Sequence, residues 1–403
     1  MHAEVAFVLL FTVATAVAIA TRRLRVPYTV ALVLAGLVLG ALPIEPRLSL
    51  TRDLLFAIVL PGLVFEAAVH LREEWLTDTR ASIAALAVPG VVAALGLTAW
   101  MLLRPARSFT PTFTMLDALF FAAATVATDP IAVVATFRSL KVPPRLAVLV
   151  EGESLLNDGT GVVVFNLVVA AARGHVSSVY IAVCQFLLVS AGGALVGLML
   201  AGVVVQVLRR LDDPMIEVTL TVIAAYGSFA IAEQVGASGV IATVAAGLVC
   251  GRAARAGAHK SNTIAALRAF WEYVAFALNS IVFLLIGMEV RLPELLADWK
   301  LIILGYVVIT LVRFAIVAAT SAALRRTREA IPWRWTLVVG WSGLRGALAM
   351  VLALSIPPVF ASRGMIIHMT FGVVVLSIIV QGLTVGPLLR ALGITGEAAE
   401  PAR

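Results

Sequence analysis

Residues 121–130 read FAAATVATDP, and residues 151–158 read EGESLLND. Each polar cluster interrupts an apolar run, about 116–137 for the first and 146–172 for the second. Roughly 20 apolar residues are enough for a helix to cross the hydrocarbon core. Asp129 falls 13 residues into the first run and Asp158 falls 12 into the second, so both lie near mid-membrane. A charge there costs roughly 2.5–3.5 kcal/mol on insertion scales, and each one requires a reason. Pro130 lacks an N–H and disfavours helical geometry at Asp129. The spacing therefore predicts a helix that breaks at Thr128-Asp129-Pro130, with freed carbonyls that must line a cavity or bind something. Together with the Thr128 hydroxyl and the Asp129 carboxylate, these form an oxygen-rich half-shell for a hard cation. A plain proline kink with Asp129 capping the second half-helix is the simpler alternative. In the second run Ser154 and Asp158 are four apart and share a helix face, while Glu153 and Asn157 share the neighbouring face.

The whole chain agrees with a membrane reading. Of its 403 residues 61% are apolar and 13% charged, with a mean hydropathy of +1.04. A soluble domain is usually about 25% charged. Soluble enzymes, disordered proteins and disulfide scaffolds are excluded. The net charge of +7 would suggest nucleic acid in a soluble protein; here the collection of Lys and Arg in cytoplasmic loops explains it without such a partner. Cys184 and Cys250 lie in apolar runs and form no metal-ligand spacing. The first apolar run is followed, not preceded, by Arg22, Arg23 and Arg25, and reads as a retained helix rather than a cleaved signal.

Thirteen transmembrane helices are expected, near 4–21, 27–44, 53–71, 81–103, 116–137, 146–172, 179–208, 215–233, 236–251, 264–288, 299–324, 334–357 and 364–392. With the N-terminus outside, 20 Lys and Arg fall on the cytoplasmic side and 8 on the other, with Arg313 and Arg345 inside the membrane. That bias places the N-terminus out and the C-terminus in the cytoplasm. An odd count with a central helix implies two six-helix halves of opposite topology, helices 1–6 and 8–13, joined by helix 7. That is the pattern of inverted-repeat transporters.

Other intramembrane charges need partners. Arg313 in helix 11 requires a carboxylate, and Glu153, turned away from Asp158, is the best candidate for a structural pair. Arg345 lies in Gly343-Leu344-Arg345-Gly346 of helix 12, where the flanking glycines suggest a second break. It either offsets half-helix dipoles or pairs with a carboxylate. Glu66 follows Pro61-Gly62 in helix 3 and is read as a gate, an additional ligand or an interfacial carboxylate. Asp117, Glu217, Glu233, Glu272 and Glu289 lie near span ends and are assigned solvated or hydrogen-bonded roles. The histidines, His368 at the start of helix 13 among them, form no metal set. A carboxylate such as Asp158 carries either a proton or a cation. Competition for that one site suffices for exchange if only loaded carriers cross.

Ala127-Thr128-Asp129-Pro130 followed by Glu151-Gly152-Glu153-Ser154-Leu155-Leu156-Asn157-Asp158 resembles the signature of the monovalent cation:proton antiporter-1 family, which includes NhaP-type antiporters and sodium/proton exchangers. Phe65-Glu66-Ala67, Arg313 and Gly343-Leu344-Arg345-Gly346-Ala347 match in order and spacing, so the resemblance spans nearly the whole chain. It implies a homodimer whose scaffold is helices 1–3 and 8–10 (about 4–71 and 215–288). The core transport domain would be helices 4–6 and 11–13 (about 81–172 and 299–392), with helix 7 (about 179–208) as linker. Helices 5 and 12 would be unwound and cross at the ion site. Asp158 and Asp129 become the key carboxylates, Thr128 and Ser154 ligands of Na⁺, Glu66 a contributor from the scaffold, and Glu153–Arg313 the structural pair. Electrogenic relatives carry Asp-Asp where this chain has Asn157-Asp158. Since Asn157 cannot titrate, the resemblance implies one Na⁺ (or Li⁺) for one H⁺, with no cofactor.

K⁺/H⁺ exchange is a second transporter reading. A channel and a membrane-embedded enzyme are other classes. No filter-like loop supports the first, and the intramembrane arginines argue against the second. Arg-rich, Ala-rich composition suggests a bacterial inner membrane.

Overall fold

The computed structural model describes residues 3–24, 27–41, 55–71, 76–175, 178–211, 213–258, 261–289 and 292–395. The described residues are helices and turns. Each of the thirteen expected stretches contains a helix, and a further short one, Leu292–Ala297, precedes helix 11. Eight described helices are long and apolar enough to cross a membrane, among them Pro144–Ala172, Trp299–Leu324 and Arg363–Ala391. The expected outer limits of helix 2 (44) and helix 3 (53) lie outside the described residues, as do His2, Arg25, His259 and Lys260.

The division between helices 8 and 9, expected at Val235–Gly236, falls between Pro214–Gln234 and Gly239–Ala256. Gly236 takes φ +74°, a left-handed conformation that glycine adopts without strain, and ends the first helix. Ser238 then accepts the Ile241 N–H and caps the second, so helix 9 starts three residues later than expected.

The two helices expected to be broken are broken. Helix 5 is Met115–Thr125 and Ile131–Leu140; helix 12 is Trp333–Trp341 and Ala347–Leu354. Thr114 and Asp117 form a capping box at the start of helix 5, and Ser362 donates to the same Asp117 carboxylate. Asp117 is thus hydrogen-bonded, as assigned.

By contact density the chain forms two compact units. The first comprises Met1–Thr51, Trp75–Asn157 and Ser280–Arg403. Its apolar core includes Ile83, Val133, Phe137, Leu149, Val317, Trp335, Val338, Leu344 and Leu389, drawn from helices 4–6 and 11–13. Within it helices 2 and 10 touch backbone to backbone: a Cβ on Gly36 would stand 2.1 Å from the Leu284 carbonyl, and one on Gly287 2.2 Å from that of Val33. The second unit comprises Arg52–Glu74 and Asp158–Asn279. Its core gathers around Trp271, fully buried against Phe65 and donating its indole N–H to Thr221 Oγ1 at 3.0 Å. Gly197 lets helix 7 meet helix 9, since a Cβ there would come 2.0 Å from the Ala242 carbonyl.

Candidate ion site

The break in helix 5 meets the break in helix 12. The Asp129 N–H donates to the Leu344 carbonyl at 2.8 Å, joining residues more than two hundred positions apart. Asp129 Oδ1 accepts the Ile131 N–H at 3.0 Å, and the Ala347 N–H is directed at the same carboxylate. One carboxylate therefore serves the N-termini of two half-helices, where unpaired N–H groups and the helix dipole both favour an anion. Gly346 makes the approach possible, because a Cβ there would lie 1.9 Å from Asp129 Oδ2. Capping by Asp129 is thus real, and it extends to a second helix that the sequence did not reveal.

Helix 6 reads the other side of the break. Asn157 Oδ1 accepts the Thr128 N–H at 3.3 Å, and its Nδ2 donates to Thr128 Oγ1 at 2.7 Å. The Ser154 hydroxyl donates to the Thr128 carbonyl. Ser154 has thereby spent its proton, and its oxygen lone pairs remain as acceptors. Thr128, Ser154 and Asn157 are all buried, while Asp129 is half-buried. Asn157 Nδ2 also donates to Glu153 Oε1 at 2.8 Å, linking the break to the ion pair behind it.

That pair is the expected one. Arg313 NH1 and NH2 donate to Glu153 Oε1 and Oε2 at 2.7 and 2.8 Å, a bidentate arrangement, and NH2 also reaches the Val339 carbonyl at 3.2 Å. Glu153 is 1% exposed. A Cβ on Gly343 would come 3.0 Å from Arg313 Nε, so this glycine lets the guanidinium lie against the helix 12 break.

Arg345, left open between two roles, is buried with its NH1 on the Gly343 carbonyl at 2.9 Å and its backbone N–H on Ser377 Oγ at 3.0 Å. Glu153 and Arg313 both act on it electrostatically. With Glu153, Arg313, Thr98 and Thr125 it lines a cavity of ≈ 20 Å³, room for one water molecule.

Two predicted residues belong to the second unit. Asp158 is its first residue in helix 6, one turn beyond Ser154. Glu66 lies in Leu60–His70, with its Oε1 3.2 Å from His70 Nδ1, while the same nitrogen sits 2.9 Å from the Glu66 carbonyl. His70 was assigned no role. Its i,i+4 spacing from Glu66 was the available signal.

The sequence profile described as "Sodium/hydrogen exchanger, transmembrane" matches residues 8–391. The chain belongs to the sodium/hydrogen exchanger family. Members of this family are transporters rather than enzymes. Among its relatives is the Na⁺/H⁺ antiporter ApNhaP of Aphanothece halophytica, 35% identical over 378 residues, covering 93% of this chain and 71% of the relative. The Na⁺/H⁺ antiporter NhaH of Halobacillus dabanensis is 35% identical over 403 residues, covering 96% of this chain and 97% of the relative. The solved structure of the sodium proton antiporter MjNhaP1 from Methanocaldococcus jannaschii superposes with a TM-score of 0.76, covering 94% of this chain and 98% of that one. At 20% identity this last likeness establishes the fold.

Proposed function

We propose that this exchanger carries Na⁺ (or Li⁺) inward or outward against H⁺, one for one, by competition of the two cations for Asp158. Its relatives ApNhaP and NhaH are Na⁺/H⁺ antiporters, which supports the substrates. The observation that carries the mechanism is the crossing of two broken helices through Asp129 and Leu344, with Thr128 held by Ser154 and Asn157. Broken helices that cross at mid-membrane are how transporters present backbone and side-chain oxygens to an ion without exposing orphaned polar groups to lipid.

The residues divide the work as follows. Asp158 exchanges proton for cation. Ser154 offers lone pairs, and Thr128 the lone pair that Asn157 leaves free. Asp129 neutralises the positive ends of both half-helices and lends its remaining lone pairs. Glu66 contributes from the scaffold. Glu153 and Arg313 hold helix 6 against helices 11 and 12. Arg345 balances charge at the second break. Asn157 positions Thr128 and carries no proton, so each cycle moves no net charge.

The core of helices 4–6 and 11–13 alternates access against a scaffold of helices 1–3 and 8–10 in a homodimer. The N-terminus lies outside and the C-terminus in the cytoplasm of a bacterial inner membrane, which the excess of Lys and Arg in the corresponding loops supports.

Proteoliposomes test this reading. An imposed Na⁺ or Li⁺ gradient is expected to drive an internal pH change indifferent to a voltage clamp, with K⁺ as the comparison ion. Asp158→Asn is expected to remain folded and abolish that change. Normal transport by Asp158→Asn overturns the assignment of the exchanging group.

A further inference from the structure

Helix 4, Arg80–Arg107, ends where helix 11, Trp299–Leu324, begins. Between the two ends lies an open groove of ≈ 390 Å³, lined by Phe109, Trp299, Lys300, Ile303, Leu304 and Val307. Five of these six residues are aromatic or aliphatic, and the sixth is a cation. On helix 11 the residues Trp299, Ile303, Val307 and Leu311 recur every four positions, and each is between 44 and 54% exposed. A helix face with that spacing and exposure, on a span of mean hydropathy 2.5, is turned to lipid. From Trp299 to Val307 the helix rises about 12 Å at 1.5 Å per residue. One leaflet of hydrocarbon is about 15 Å deep, half of the whole core. The groove therefore follows an acyl chain through most of one leaflet. Trp299 marks its upper end, at the level where tryptophans collect at the membrane–water interface.

Lys300 stands at that upper end. Its Nζ is 5.7 Å from the centroid of the Phe109 ring and 5.8 Å from that of Trp299. The two aromatic faces hold the ammonium by its charge. They leave its three N–H donors without an oxygen. Among the described residues no carboxylate pairs with Lys300. Asp298, directly before Trp299, turns its Oδ2 to His368 Nδ1 at 3.2 Å, and its side chain does not cap helix 11. The end of helix 4 adds Arg104 and Arg107, both exposed. An ammonium at the headgroup level, above an apolar channel, matches a molecule with an anionic oxygen at one end and a hydrocarbon tail at the other.

We propose that this groove binds an anionic phospholipid, with its phosphate on Lys300 and one acyl chain along Ile303, Leu304 and Val307. A zwitterionic phospholipid offers the same phosphate and the same tail, but it brings its own cation to a site that already holds one. The preference for negative charge is therefore the property that Lys300 confers. Both helices belong to the first compact unit, so the site is complete within that unit. It depends on the membrane setting of the chain and not on the exchange reading.

The test uses the full-length chain in phosphatidylcholine vesicles that carry a trace of a lipid with a photoactivatable acyl chain. The probe is either phosphatidylglycerol or phosphatidylcholine, with identical chains. After illumination the labelling of residues 299–307 is measured by peptide mass spectrometry. The unmodified protein is expected to take the phosphatidylglycerol probe about two- to fivefold more than the other, the scale of an exposed ion pair. At about 1 M salt, where the screening length is about 3 Å, that ratio is expected to fall toward one. Lys300→Gln is expected to abolish the preference while the phosphatidylcholine labelling persists. Lys141→Gln, which removes an exposed cation from the loop after helix 5, is expected to retain it. Absence of label on residues 299–307 overturns the site. Equal labelling of the unmodified protein by both probes, a preference that survives Lys300→Gln, or its equal loss in Lys141→Gln overturns the role of Lys300. Labelling that disappears as the protein-to-lipid ratio is raised marks a second copy of the chain as the occupant and overturns the lipid assignment.

Discussion

Replacing Glu153 with Gln removes the anion from a site built around it. Glu153 is 1% exposed, takes two guanidinium bonds from Arg313 at 2.7 and 2.8 Å, and accepts the Asn157 amide at 2.8 Å. Gln is nearly isosteric, so no cavity complicates the result. Its amide oxygen can still accept one Arg313 N–H, but its NH2 is set against the other. Arg313 then retains the Val339 carbonyl, and Arg345 loses the carboxylate charge that opposes the positive charge of Arg313. Breaking a buried pair by removing one partner costs about 3–5 kcal/mol, because a guanidinium is left uncompensated. Replacing both partners with apolar residues is often close to neutral. Glu153→Leu with Arg313→Met is therefore expected to be more stable than Glu153→Gln alone, although Arg345 keeps part of the penalty. The assay is unfolding of the purified protein in one detergent, comparing the unmodified chain, the single variant and the double variant. Two results refute the reasoning: a Glu153→Gln loss within about 1 kcal/mol, the scale of a solvated pair, or a double variant no more stable than the single.

Gly346→Ala places a Cβ 1.9 Å from Asp129 Oδ2, so the carboxylate or the helix 12 break must shift. Cation-driven pH change is expected to fall at least about tenfold, since small displacements of a positioned group carry such penalties, while the chain still folds; unaltered transport argues against close approach of the two breaks. Asn157→Asp places a second carboxylate beside Glu153 and Thr128 and a titratable group beside Asp158. Exchange by this variant is expected to become sensitive to a voltage clamp, and clamp-indifferent exchange removes Asn157 from the stoichiometry argument.

Much of the architecture was legible because the decisive features are local. Apolar runs, Pro130 after Asp129, and the glycines around Arg345 each state their consequence within a few residues, so the helices and both breaks were predicted close to where they occur. The Glu153–Arg313 pair was legible for a different reason: a buried guanidinium demands an anion, and few were available at that depth. The start of helix 9 was misplaced because apolar content does not register the turn that Gly236 permits.

By itself the sequence determined the membrane setting, the helices, the two breaks and the need for charge pairing. Those follow from hydropathy, from proline and glycine stereochemistry, and from the cost of a lone charge in hydrocarbon. Beyond the Glu153–Arg313 pair, only the tertiary structure decided which groups satisfy one another. It brought Asp129 onto the N-termini of two half-helices, and it tied both Thr128 backbone groups and its hydroxyl to helix 6. It also set Glu294 and Asp298 on either side of His368. Apart from the bond between Asp129 and Ile131, each of these contacts joins residues at least 26 positions apart. Periodicity and capping rules reach only a few turns along a helix, so the pairing across helices depends on how the folded helices lie against each other.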